Sequence, residues 1–209
     1  MKPVIFYLLF LSSSFFFLYG QKTLGYFGSF SSVNYFKFEQ GIGLGFTHSR
    51  SYKDNNKWQN IIQMQYYWGS YHYHYLPQNT GRLSYREVQA RNFIFRAGKE
   101  YGFLFINKRT KKLFMGPSLT LNVLGFYETG SDLLVETGVV DSNFKEFKVE
   151  TGFSPLLFME FEHIAYKNSV FIRLEGGYLF NPVNDLASYN GFPGGWIFSV
   201  SLGYRVNDY

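Results

Sequence analysis

The sequence predicts an all-β chain: an eight-stranded antiparallel up-and-down transmembrane β-barrel, preceded by a signal peptide. Three observations lead there. Residues 196–206 alternate strictly, with Trp196, Phe198, Val200, Leu202, Tyr204 and Val206 against Ile197, Ser199, Ser201, Gly203 and Arg205. Period two is the mark of a strand with two chemically different faces. The same pattern recurs along most of the 209 residues. Finally, the composition is aromatic-rich, with 22% Phe, Trp and Tyr against 17% charged residues, which is unusual for a soluble domain.

Residues 1–20 read as a secretory signal. Lys2 supplies the positive start, and an apolar run over 4–18 is interrupted only by Ser12, Ser13 and Ser14. Cleavage after Gly20 would leave a barrel domain over 21–209. The apolar run is too short for a helix that spans a membrane comfortably.

The first strand, 24–30, is weak: Leu24, Tyr26 and Phe30 share a face, interrupted by Gly28. The second is clear, with Phe36, Phe38, Ile42, Leu44 and Phe46 opposite Lys37, Glu39, Gly41, Gly43, Gly45 and Thr47. Trp58, Ile62, Met64, Tyr66 and Trp68 then oppose Gln59, Gln63, Gln65 and Gly69. Phe93, Phe95, Ala97, Tyr101, Phe103 and Phe105 oppose Arg96, Gly98, Glu100 and Gly102. Leu113, Met115, Leu119, Leu121 and Val123 oppose Gly116, Ser118, Thr120 and Asn122. Phe147, Val149, Phe153, Leu157, Met159 and Phe161 oppose Lys148, Glu150, Gly152, Ser154 and Glu160. Val170, Ile172, Leu174, Tyr178 and Phe180 oppose Arg173, Glu175 and Gly177. With the terminal segment this makes eight strands, the even number that a closed membrane barrel needs.

The links alternate in length. Those at 181–195, 127–143 and 70–86 are long; those at 163–169 and 107–111 are short; that at 49–56 is intermediate. The first link, around 31–33, is expected to be tight. Short turns at one end and long loops at the other suit a barrel of the outer membrane.

The less apolar face decides which side is inside. A soluble lipocalin-like barrel would carry long solvated residues outside. Here that face is dominated by Gly and Ser, which suit the crowded interior of a narrow barrel. Charges interleave with them: Lys37, Glu39, Arg96, Glu100, Lys148, Glu150, Glu160, Arg173, Glu175 and Arg205. Five are basic and five acidic. Buried charges are tolerated when paired, so the pattern predicts a closed, ion-paired lumen. Trp58, Trp68, Tyr101, Tyr178 and Trp196 are candidates for interfacial girdles.

In this alternation, in Tyr209 at the C-terminus and in the link lengths, the mature chain resembles the small eight-stranded outer-membrane barrels of the OmpA/OmpX-like superfamily. The resemblance implies residence in the outer membrane of a Gram-negative bacterium. It implies contact with outer-membrane lipid and lipopolysaccharide, and insertion by machinery that reads a terminal aromatic residue. It further implies a monomer with a structural or interaction role: envelope integrity, adhesion, or accessory membership of an envelope complex through the loops. The alternatives are a lipid-modifying outer-membrane enzyme, a narrow channel, and a soluble lipocalin-like carrier.

No residue set carries a chemistry of its own. The chain has no cysteine, which excludes disulfides, thiolate metal sites and thiol nucleophiles. His72 and His74 share a strand face, but two imidazoles do not complete a metal site. His48 and Ser49 are adjacent, hence on opposite faces, and cannot make a nucleophile–base pair. His163 beside Glu162 reads as a solvated turn residue. The formal net charge is +5, yet the densest basic run, Lys108, Arg109, Lys111 and Lys112, fits a turn better than a nucleic-acid surface. Glu128, Asp132, Glu136 and Asp141 make the 127–143 link acidic. No catalytic residue, cofactor, metal or nucleic-acid partner is expected.

Overall fold

The structure, a computed structural model, describes residues 21–34, 38–51, 56–75, 84–134, 140–166, 168–180 and 194–207. The expected signal segment, Lys37, Glu136 and Tyr209 lie outside them. The described residues form eight strands: β1 (Gln21–Asn34), β2 (Phe38–Ser51), β3 (Lys57–Tyr75), β4 (Ser84–Lys108), β5 (Lys111–Leu134), β6 (Val140–Ala165), β7 (Asn168–Phe180) and β8 (Gly194–Asn207). Each pairs antiparallel with its sequence neighbours, and β8 closes on β1. Closure satisfies every strand edge within the ring, the condition for crossing hydrocarbon with β-structure. None of the described residues forms a helix long and apolar enough to cross a membrane.

The apolar alternation faces outward. Leu44, Leu157 and Leu202 are 75%, 70% and 62% exposed, whereas Arg96, Arg173 and Arg205 are 0–1% exposed. Such an inversion is uninterpretable in water, because burying charge while exposing leucine costs on both counts. It is what a hydrocarbon solvent demands. Aromatic contacts mark both limits of the apolar belt. Trp58 packs edge-on against Tyr101 at 4.7 Å, and at the other end Trp196 meets Tyr178 at 5.5 Å. Trp58 and Trp68 stand ten positions apart on β3. At a rise of ~3.3 Å per residue and a tilt of ~40°, that separates them by about 25 Å along the barrel axis, the height of an outer-membrane belt.

Several boundaries differ from the sequence expectation. β1 runs on through 31–33 to Asn34, and β2 begins at Phe38. The 70–86 and 127–143 segments are largely strand: β3 and β4 pair as far as Tyr75 and Ser84, and β5 and β6 as far as Leu133 and Val140. β3, β4, β5 and β6 therefore reach 19 to 26 residues, while the other four strands have 13 or 14. Beyond the belt the outward face of this extension no longer has to meet lipid, so the backbone ladder continues without the apolar alternation that would reveal it. The extension has a small core of its own, in which Val88, Ala90 and Phe144 pack together. Asp132, expected on an acidic loop, is instead buried against Arg86, which donates to it at 2.6 and 2.8 Å and lies over the Phe144 ring at 4.4 Å.

At the opposite end the chain turns tightly. Arg109 and Thr110 link β4 to β5, and the Ile164 amide donates to the Thr110 carbonyl at 2.8 Å. Tyr166 has φ 57°, the left-handed conformation that reverses the chain between β6 and β7. Lys108 and Lys111 face each other across the exposed hairpin end. This like-charged pair is unsuited to strand addition.

Candidate functional site

The lumen gathers most of the chain's buried polar chemistry. The inward positions of β3, β4, β6, β7 and β8 bring Lys57, Arg96, Arg173 and Arg205 together with Glu100, Glu160, Glu162 and Glu175, all buried. Glu160 sits at the centre: it accepts from Lys57 and from Arg205 at 2.9 Å, and Arg173 lies 3.5 Å away. Arg173 donates to both oxygens of Glu100, one at 2.8 Å, and to Glu175 at 2.8 Å. Arg205 reaches Glu162 at 3.1 Å, and Ser169 donates to that same carboxylate. Arg96 stands 3.7 Å from Glu175 and donates to Gln63 at 2.9 Å. Four charges of each sign leave this cluster neutral, which offsets part of the cost of desolvating them.

Amides and hydroxyls join the cluster to the surrounding wall. Gln59 donates to Glu100 at 2.7 Å, Gln63 to Ser29 at 2.9 Å, and Gln65 to Ser31 at 2.6 Å. Asn122 donates to Ser154 at 2.9 Å on the far side. Aromatic rings close the guanidinium faces: Arg173 lies 4.4 Å over Phe158 and Arg205 4.5 Å over Phe171. Lys57 lies 4.8 Å over Phe114. Each such contact contributes roughly 1–2 kcal/mol when desolvated.

Phe27 and Phe171 are accommodated by glycines across the sheet. A Cβ at Gly45 would stand only 2.3 Å from the Phe27 ring, and one at Gly203 only 2.2 Å from the Phe171 ring. Absent side chains here are what let two phenylalanines turn inward in a narrow barrel. Toward the end holding the extension, a second layer of Tyr67, Ile94, Leu124, Phe126, Leu156, Leu179 and Ile197 is wholly buried. The lumen is thus stacked, ion pairs below and buried apolar side chains above.

Of the ten charges assigned to the inner face from sequence, the structure brings six together: Arg96, Glu100, Glu160, Arg173, Glu175 and Arg205. It does not bring in Lys148, which is exposed and pairs with Glu146 at 3.1 Å on β6. The described part of β7 reaches only as far as the Phe180–Phe153 pair, so no described β7 residue stands beside Lys148. Glu150 is half-buried on the same stretch, outside the cluster. Glu39 lies on β2 with its side chain outside the described residues. Lys57 and Glu162 are members that the sequence reading did not assign to the inner face; each stands next to a link, at 49–56 and 163–169. Their parity with Gln59 and with Glu160 carried the signal.

The other candidate groups stay apart. Ser49 is buried and hydrogen-bonded to Thr23, while His48 is half-buried on the opposite face. His163 is exposed. His72 and His74 lie on β3 opposite Glu87 and Tyr85, with side chains outside the described residues. Among the described residues no group of three or more His, Cys, Asp or Glu is placed to hold a metal ion.

This architecture has a counterpart among solved structures. Neisserial surface protein A, from Neisseria, superposes with a TM-score of 0.52 over 90% of this chain and 97% of its own, at 12% identity. The chain has the eight-stranded fold of that protein. At this identity the likeness is one of fold alone. Ail, the attachment invasion locus protein of Yersinia pestis, aligns over 91% of this chain and all of its own at 10% identity, but with a TM-score of 0.44 it adds no argument. No family model matches the sequence, and no curated protein sequence is detectably similar.

Proposed function

We propose that the chain is exported on its first 20 residues and resides in the outer membrane of a Gram-negative bacterium. There it serves as a monomeric, non-catalytic barrel with a structural or interaction role in the envelope. The observation that carries this reading is the pairing of an exposed apolar belt with an ion-paired, charge-neutral interior. The belt favours lipid as the surrounding solvent. The buried ion pairs, with an apolar cluster above them, favour a scaffold over a conduit. The separation of His48 from Ser49 weighs against the lipid-modifying alternative. The barrel then offers partners two surfaces, its lipid-facing wall and its extension beyond the membrane. The short-turn end is assigned to the periplasm and the extension to the cell exterior, where it would meet lipopolysaccharide and any envelope or host partner.

Fractionation followed by electrophoresis with and without boiling tests the reading. Recovery in the outer membrane, with a folded band that changes mobility on boiling, is expected. Recovery as a soluble periplasmic species with unaltered mobility would overturn it.

A further inference from the structure

The β4–β5 hairpin joins a cationic tip to the apolar wall. Lys108, Arg109 and Lys111 are exposed and Lys112 is half-buried, four basic residues within five positions. Among the described residues, no carboxylate forms an ion pair with any of the four. The carboxylate opposite Lys112 across the sheet, Glu162, is turned into the lumen, where Arg205 and Ser169 hold it. A β-bulge shapes the strand that leads to this tip. Leu104 pairs with Phe114 and Ile106 with Leu113, which leaves Phe105 as an extra residue on β4. Bulges re-aim side chains, and here two consecutive apolar residues, Phe105 and Ile106, are 64% and 39% exposed. Regular alternation would turn one of the two inward. With Phe103, also exposed, they carry the apolar belt on from Tyr101 to two positions short of Lys108.

The hairpin's place at the end of the wall selects its partner. Phe105 stands four positions beyond Tyr101. At a rise of ~3.3 Å per residue and a tilt of ~40°, that is about 10 Å along the barrel axis, near where a headgroup layer of ~5–8 Å meets water. Lys and Arg at this border lay their aliphatic stems along the apolar wall and bring their charged ends back to lipid phosphates. Continuity with the lipid-facing wall favours a lipid over a protein, and the unopposed positive charge favours an anionic lipid. We infer that this hairpin binds the headgroups of anionic phospholipids and gathers them around the short-turn end of the barrel. The inference rests on the membrane placement proposed above.

Tryptophan quenching by brominated lipids tests it, with Trp58, which packs on Tyr101, as the reporter. Trp68→Phe and Trp196→Phe leave Trp58 as the one tryptophan of the chain. The mature protein is reconstituted in phosphatidylcholine vesicles that carry a minor share of brominated phosphatidylglycerol or, separately, of brominated phosphatidylcholine. The anionic lipid should quench as though enriched at least ~threefold over the neutral one. Joint Lys108→Gln, Arg109→Gln, Lys111→Gln and Lys112→Gln substitution should bring that preference below ~1.5-fold. Salt at ~1 M should do the same to the protein with its tip intact, so the test does not depend on the substituted tip folding. Lys145→Gln, at the other end of the barrel, should leave the preference in place. Equal quenching by the two lipids would overturn the inference, as would a preference that survives high salt or the four substitutions. Absence of a lipid preference together with salt-sensitive binding of soluble polyglutamate to the same tip would overturn it by assigning the hairpin to an acidic protein. Failure to obtain a heat-modifiable band from any vesicle would instead overturn the membrane reading itself.

Discussion

The two halves of the barrel wall make an instructive contrast. β7, β8, β1 and β2 have 13 or 14 residues each and pair along most of their length within the belt; β3 to β6 carry the same ladder well beyond it. On β8 each outward residue from Trp196 to Val206 is exposed and each inward one buried, without exception. On β6 that regularity holds from Thr151 to Glu162 and is absent over 142–150. The backbone does not change between these stretches; the solvent does. Between lipid and lumen, one face must be apolar and the other must pair its charges. Beyond the belt, the outward face is free of lipid, and the other face is held by small local contacts such as Arg86–Asp132 and the Val88, Ala90 and Phe144 cluster. The extension also leaves β6 without a described partner on the β7 side above Phe153. Lys145, Glu146, Lys148 and Glu150 on that stretch are the charges that discourage another strand from adding there.

The largest expected effect falls in the shared lumen. Arg173→Met leaves Glu100 and Glu175 without their main counter-charge in a desolvated interior, and should cost about 3–5 kcal/mol. Urea unfolding of the detergent-solubilised barrel, followed by tryptophan fluorescence, reads this. Adding Glu100→Gln should recover part of the loss; equal stability of wild type and the single variant would show that the network is not desolvated. Next comes a pair of arginine substitutions chosen to divide the two regions. Leu44→Arg, near the middle of the belt, should cost roughly 2–4 kcal/mol in lipid bilayers. Thr129→Arg, on the extension, should change stability by no more than ~0.5 kcal/mol, as for an ordinary surface change. Similar costs for both would erase the distinction drawn between them.

A smaller, local effect is expected from Asp132→Asn. Arg86 keeps a hydrogen-bonding partner but loses a charge on a partly exposed pair, worth about 1 kcal/mol. Hydrogen exchange should quicken in the β4–β5 extension while unfolding of the belt is unmoved; slower folding or lower stability of the whole barrel would argue that the extension is part of the global unit. The least effect belongs to Lys148→Gln. Its contact with Glu146 is exposed on one strand, so stability in the same urea assay should shift by under ~0.5 kcal/mol.

The same contrast explains what the sequence made legible. Arg205 and Glu160 could be placed in the lumen because their strands alternate cleanly around them. Lys57 and Glu162 stand at strand ends, where a charged residue reads as naturally in a turn. The apolar layer was harder to see, since Ile94, Leu124 and Ile197 sit among apolar neighbours on both sides and the alternation blurs there. Phe27 and Phe171 belong to the inner face despite their size, and only the glycines facing them across the sheet, Gly45 and Gly203, make room. The extension was read as loops because strand detection from sequence depends on one face being apolar, and above the belt neither needs to be.

The account's central claim is the sense of the wall: leucines toward lipid, arginines and serines inward. The natural absence of cysteine allows a direct measurement, with Leu202→Cys and Ser201→Cys made singly and the barrel reconstituted in vesicles. Neighbouring positions on β8 then report opposite faces. A membrane-soluble maleimide should label Leu202→Cys rapidly while a charged, water-soluble one does not, and Ser201→Cys should resist both. Labelling of Leu202→Cys by the water-soluble reagent, with protection from the membrane-soluble one, would contradict the assignment.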